Sequence, residues 1–176
     1  VRELRRRFPG VKIVADMKTV DTGAVEVEMA AKAGANVVIV LASSDDSTVR
    51  EAVEAGRRYG AEIMADLIGE ENPVERAKRL EELGVNHLCV HVGIDQQMRG
   101  LNPMEILRKL SGEVKVSLAV AGGIHSETAA EAVEAGADIV IVGGAIIKAA
   151  DAAEATRKIK KAMISRRPIP SASYRK

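Results

Sequence analysis

Short apolar runs alternate with stretches of helical period along nearly the whole chain. The runs at residues 37–41, 63–67, 114–120 and 139–142 are rich in β-branched residues and apolar on both faces, as parallel strands covered by helices must be. Between them Val25-Met29-Ala33, Val49-Val53, Ala77-Leu80-Leu83 and Ala129-Val133 keep the spacing of one helix face. A glycine opens each period: Gly10-Val11-Lys12, Gly34-Ala35-Asn36, Gly60-Ala61-Glu62, Gly84-Val85-Asn86, Gly112-Glu113-Val114 and Gly136-Ala137-Asp138, at intervals of 24, 26, 24, 28 and 24. Each suits the left-handed residue that ends a helix. Asp45-Asp46-Ser47, Asn102-Pro103 and Ser126-Glu127 offer helix starts. Strand and helix alternating at this period predict a parallel α/β fold with right-handed crossovers.

Six such units are present, whereas a closed (β/α)₈ TIM barrel needs eight over roughly 200 residues. Residues 1–8 read as the latter part of a helix, with Leu4 and Phe8 on one face. The expectation is a barrel lacking its first two βα units, with unpaired sheet edges near 12–16 and 139–142. Barrel-facing apolar surface would then be exposed at Val38, Val40, Val116, Leu118 and Val140. A barrel domain is expected over residues 1–164, followed at 165–176 by a tail of Pro/Ser-rich linker composition.

With 26 basic against 25 acidic residues, one Phe, two Tyr and no Trp, the chain has neither the charge nor the stacking surfaces of a nucleic-acid binder. Arg5-Arg6-Arg7 and the cluster Arg157-Lys158, Lys160-Lys161 read as solvated helix faces. The single cysteine, Cys89, lies in an apolar run; no intrachain disulfide can form, and a cytoplasmic location is expected. No apolar stretch approaches the ~20 residues that span a bilayer.

Reactive groups of a parallel barrel collect at the C-terminal strand ends. Those ends carry Asp16 and Lys18; Ser43, Ser44 and Asp45; Asp66; His91 and Asp95; Gly122-Gly123; and Gly143-Gly144, while the strand starts carry almost nothing reactive. Strand alternation projects Asp16 and Lys18 together, with Asp21 just beyond. From spacing alone this is an ordinary rim ion pair or a site. The two glycine pairs, each followed by a helix, fit a phosphate site of bare amides. His87 and His91 share a strand face but lie about 13 Å apart along it, too far for one metal ion. His91 alone can face the mouth, as a candidate acid or base. His125 reads as a surface residue at a helix start.

Asp16-Met17-Lys18-Thr19-Val20-Asp21, Leu41-Ala42-Ser43-Ser44-Asp45-Asp46, Ala65-Asp66-Leu67-Ile68-Gly69, His91-Val92-Gly93-Ile94-Asp95-Gln96-Gln97, Ala121-Gly122-Gly123-Ile124 and Gly143-Gly144-Ala145-Ile146 together resemble the 3-hexulose-6-phosphate synthase family. That family lies within the orotidine-5′-monophosphate decarboxylase suprafamily. The resemblance runs to about residue 164. It implies a Mg²⁺-dependent aldol reaction between formaldehyde and D-ribulose 5-phosphate, giving D-arabino-hex-3-ulose 6-phosphate, and the reverse. It further implies Asp16 as metal ligand, Lys18 as enediolate stabiliser or proton shuttle, and His91 as acid/base. Gly122, Gly123, Gly143 and Gly144 would hold phosphate, and Asp66 and Asp95 would contact substrate. Asp21 would reach a neighbouring subunit's site in a homodimer. The family's first two strands, one bearing an aspartate and the other an acidic metal ligand, have no counterpart here. The related 3-keto-L-gulonate-6-phosphate decarboxylases tend to carry an Arg after the histidine and another in the last phosphate loop, where this chain has Gly93-Ile94-Asp95 and Gly144. Decarboxylation and a non-catalytic truncated phosphate-binding barrel are the rival readings.

Overall fold

The computed structural model describes residues 1–171 of the 176. In chain order the elements are α1 (Arg2–Arg7), β1 (Val14–Thr19), α2 (Gly23–Lys32), β2 (Val37–Leu41), α3 (Asp46–Tyr59), β3 (Glu62–Asp66), α4 (Pro73–Leu83) and β4 (His87–His91). They continue with α5 (Ile94–Met98), α6 (Pro103–Ser111), β5 (Ser117–Ala121), α7 (Ala129–Glu134), β6 (Ile139–Ile141), α8 (Gly144–Ile147) and α9 (Ala152–Ser165). The chain divides into two compact units, one of Val1–Cys89 with Val114–Val116, the other of Val90–Glu113 with the residues from Ser117 on. In the first, β1, β2, β3 and the start of β4 pair in parallel as successive neighbours; in the second, β5 and β6 do. Val38, Val40, Ile63, Leu80 and Leu88 form the core of the first unit, and Val92, Leu107, Leu110 and Val120 that of the second. Among the described residues no helix is long and apolar enough to cross a membrane.

The glycine period has a second layer. Two residues after Gly34, Gly84 and Gly136 stand Asn36, Asn86 and Asp138. Their side-chain oxygens accept the N–H of Ile13, Ile63 and Leu118, at the start of the preceding strand, at 2.9, 2.8 and 2.9 Å. Each also donates its own N–H to that same residue's carbonyl, at 2.8, 2.9 and 2.8 Å. One side chain thus closes β1 onto β2, β3 onto β4 and β5 onto β6. Asn86→Ala would leave the buried Ile63 N–H unsatisfied. It is expected to lower stability by about 1–3 kcal/mol in denaturant unfolding, against under half that for Asn86→Asp, which keeps the acceptor.

Asp45 and Asn102 cap α3 and α6 as anticipated, accepting from Ser47 N and Met104 N. Three expectations are corrected. β5 opens at Ser117 and not at 114, because Glu81 Oε1 takes the N–H groups of Lys115 (2.6 Å) and Val116 (3.0 Å) that a strand would share with its neighbour. Helix α7 opens at Ala129 after Thr128, not at Ser126, whose hydroxyl donates to Ile169 O at 2.7 Å. Val38 and Val40 are fully buried and Leu118 nearly so; exposed apolar side chains occur instead at Val14 and Met17 on β1, Val20 just after it, and Val25 and Met29 on α2. Of the tail expected at 165–176, residues 172–176 lie outside the described part. Before them Ile169 N donates to Ser126 O at 3.0 Å and Ser171 N to Glu127 Oε1 at 3.0 Å.

Candidate functional site

In the first unit Ala15 lies opposite Val38 and Thr19 opposite Val40, so four steps along β1 match two along β2. The surplus is a bulge at 16–18, and Lys18 within it takes the left-handed conformation, φ +48°. For a residue with a Cβ that costs roughly 1–2 kcal/mol. Asp16 and Lys18 do meet, as expected, but strand alternation is not the cause: the bulge turns the lysine so that Nζ lies 3.1 Å from both Asp16 oxygens.

The third member of the cluster is Asp66, at the end of β3 and only 1% exposed. Its Oδ2 accepts from Lys18 Nζ at 2.8 Å and its Oδ1 from Ile68 N at 3.0 Å. Burial works against the Lys18 charge, but the hydrogen bonds it donates to Asp66 and then Asp16 outweigh it and hold the lysine above its ordinary pKa. Because the folded value is raised, its contribution to stability is complete below the unfolded value of about 10.4 and is lost as pH rises through the folded one. At neutral pH the group is therefore an ammonium, suited to stabilising an oxyanion. Cys89 is buried, and that burial, reinforced by the Asp66 charge, pushes its thiol far up; it is inert. Asp21 is exposed beyond β1, its Oδ1 accepting Thr22 N at 2.8 Å.

Mg²⁺ is typically held by one or two carboxylates completed by water and substrate oxygens. Asp66 is buried and spends its oxygens on Lys18 and Ile68; both Asp16 oxygens also meet Lys18 Nζ, at 3.1 Å, but with the side chain 53% exposed their outer lone pairs face solvent. No group of three or more His, Cys, Asp and Glu able to hold an ion occurs among the described residues. Of this cluster, Asp16 is the residue that could contribute one ligand to such an ion.

Of the remaining rim candidates of this unit, Ser43 is exposed and two are structural. Ser44 is buried, its hydroxyl donating to Leu41 O, and Asp45 caps α3. Arg76, in the first turn of α4, fixes the loop, donating to Ala42 O (2.6 Å), Ser44 O (2.8 Å) and Asp46 Oδ1 (2.6 Å). The strand starts are less bare than expected: Glu62 Oε2 lies 3.3 Å from His87 Nε2 and 3.4 Å from Lys12 Nζ, and His87 foremost draws that carboxyl below its usual range. His87, which alone of the two strand histidines was not expected at the mouth, belongs to this lower rim.

In the second unit a cavity of about 570 Å³ is lined by His91, Gln97, Gly122, Gly123, Gly143 and Gly144, among others. Gly122 and Gly123 both take positive φ, +105° and +69°. A Cβ on Gly122 would come within 2.2 Å of Val92 O. Gly143 and Gly144 differ: a Cβ on either would meet nothing within 4 Å. Their bare backbone borders open cavity. The second pair leads straight into α8, but the first does not lead into a helix. His125 N donates to Thr128 Oγ1 and Thr128 Oγ1 to His125 O, holding a turn until α7 begins. Asp95 sits exposed on the first turn of α5. His125, expected at the surface, lines the cavity, and so do Gln97 and Lys148, which sequence reasoning passed over. Lys148 could have been found, since it follows Gly144 by four residues, about one helical turn.

Residues 1–159 match the model of the orotidine 5′-phosphate decarboxylase / HUMPS family. A 3-hexulose-6-phosphate synthase of Bacillus subtilis (strain 168) is 39% identical over 165 residues, covering 93% of this chain and 79% of that protein. The crystal structure of 3-hexulose-6-phosphate synthase from Salmonella typhimurium superposes with a TM-score of 0.89 at 34% identity, covering 94% of this chain and 79% of that one. A structure of KGPDC from Streptococcus mutans in complex with D-R5P shares the fold, with a TM-score of 0.81 at 24% identity over 93% of this chain and 78% of its own.

Proposed function

Since the chain belongs to the orotidine 5′-phosphate decarboxylase / HUMPS family and carries six βα units of its TIM-barrel fold, we propose that it is a 3-hexulose-6-phosphate synthase. It would join formaldehyde to D-ribulose 5-phosphate by aldol addition, and cleave D-arabino-hex-3-ulose 6-phosphate in reverse. The observation that carries this reading is the protonated Lys18, held between half-exposed Asp16 and buried Asp66. Removing a proton beside a ketose carbonyl places negative charge on the adjoining oxygens, and a fixed ammonium stabilises that charge without reorganising. Asp66 holds Lys18 in its left-handed position, and Asp16 offers the carboxylate for Mg²⁺. When bound, the ion would add Lewis-acid stabilisation of the same developing charge. By the same resemblance His91, in the second unit, would act as an acid/base group.

In the second unit, the backbone of Gly122, Gly123, Gly143 and Gly144, with the charge of Lys148, would receive the phosphate. Asp21, exposed past β1, would serve a neighbouring subunit in a homodimer. Formaldehyde release from hexulose 6-phosphate tests the whole reading; carbon dioxide release from 3-keto-L-gulonate 6-phosphate in its place would overturn it. Gly144→Asp tests the phosphate assignment. Its Cβ meets open space, so stability should stay within about 0.5 kcal/mol. The added carboxylate should raise KM for the phosphorylated ketose by at least ~10-fold with kcat little changed.

A further inference from the structure

Two consecutive glycines in left-handed conformations have no side chains to fix where their N–H groups point, and glycine is the most flexible backbone there is. The direction of the Gly122–Gly123 turn must therefore be imposed from outside. Val92 O occupies the space on one side of Gly122, 2.2 Å from where a Cβ would stand. The amide of Gln97 lies across both residues: its Nε2 is 3.0 Å from where a Cβ on Gly122 would stand, and its Oε1 2.9 Å from where one on Gly123 would. That amide is itself tied down. Gln97 Nε2 donates to Val92 O at 2.8 Å, and Gln97 N donates to Gly93 O at 2.9 Å at the start of α5. One side chain thus joins the end of β4 to the turn after β5. It also lines both the 570 Å³ cavity and a second cavity of about 320 Å³ bordered by Asn102, Thr128 and Glu131.

We propose that Gln97 is a positioning residue that sets the Gly122–Gly123 amides for a phosphate and thereby determines affinity for phosphorylated ligands. The proposal rests on the phosphate reading of this cavity. Gln97 touches no reacting atom; it acts through the turn. Gln97→Met keeps length and bulk but loses the bond to Val92 O. Gln97→Glu keeps an oxygen over Gly123, loses the donor, and sets a carboxylate against a carbonyl beside the phosphate.

Isothermal titration calorimetry of the parent chain, the two Gln97 variants and Gly144→Asp, with inorganic phosphate, D-ribulose 5-phosphate and unphosphorylated D-ribulose, separates the outcomes. Phosphate and D-ribulose 5-phosphate should bind about fivefold more weakly to Gln97→Met and at least ~30-fold more weakly to Gln97→Glu, at unchanged stoichiometry, with D-ribulose unaffected. If Gln97→Glu fails to fold, Gln97→Met carries the test. Reduced stoichiometry at unchanged Kd would make Gln97 a mere support of the fold and overturn the proposal. Parent-like Kd values in the Gln97 variants, with phosphate binding lost in Gly144→Asp, would overturn it while leaving the phosphate reading standing. Absence of phosphate binding by the parent, or parent-like binding by Gly144→Asp, would overturn that reading and the proposal with it.

Discussion

Lys18→Ala is expected to lower kcat for formaldehyde release by at least ~10²-fold, the scale of a preorganised group facing developing charge. It should also destabilise the protein by about 3 kcal/mol, because Asp66, 1% exposed, would be left buried without its ammonium. Adding Asp66→Asn removes the stranded charge, so the double variant should regain most of the stability and none of the turnover. Lys18→Gly should be as inactive as Lys18→Ala yet more stable by roughly 1 kcal/mol, since glycine accepts φ +48° without strain. Parent-like turnover in Lys18→Ala would sink the mechanism. Equal melting of the alanine and glycine variants would show that the bulge stores no strain.

The second large effect lies at Gly122. Alanine there would need φ +105° and a Cβ 2.2 Å from Val92 O, a backbone atom that cannot step aside. Gly122→Ala should cost at least about 2 kcal/mol in denaturant unfolding. By misdirecting the turn it should also weaken D-ribulose 5-phosphate binding by at least ~10-fold. Gly123→Ala meets only the far end of Gln97, at 2.9 Å, and should be the milder change on both counts. The reverse order would mean that steric fit does not govern the turn.

Local signals carried much of this fold into the sequence. The glycine period marked every βα unit, and Asp45 and Asn102 announced their helices, because capping depends on residues adjacent in sequence. What depends on distant partners was not visible. Nothing in Val114-Lys115-Val116 tells that Glu81 claims two of its amides and delays β5. Val38 and Val40 were expected to lie exposed and are buried, because a sequence names the face of a residue but not what covers it. Asp16 and Lys18 were correctly paired for an incorrect reason: alternation assumes a regular strand, and a bulge has no signature at a single position. Gln97 was hidden because amides are common on helix surfaces, and only the proximity of two glycines far along the chain gives this one a task.

The three clamps made by Asn36, Asn86 and Asp138 close the strands two by two, and their glycines Gly34, Gly84 and Gly136 recur at intervals of 50 and 52 residues. The smallest self-satisfied brick of this architecture is accordingly a βαβα pair. Deleting or duplicating a single βα unit would strand an acceptor without its amide or an amide without its acceptor, whereas doing so by whole pairs leaves every clamp matched. A chain stitched in this way changes length most cheaply in even steps, and a wall of eight strands is four such bricks.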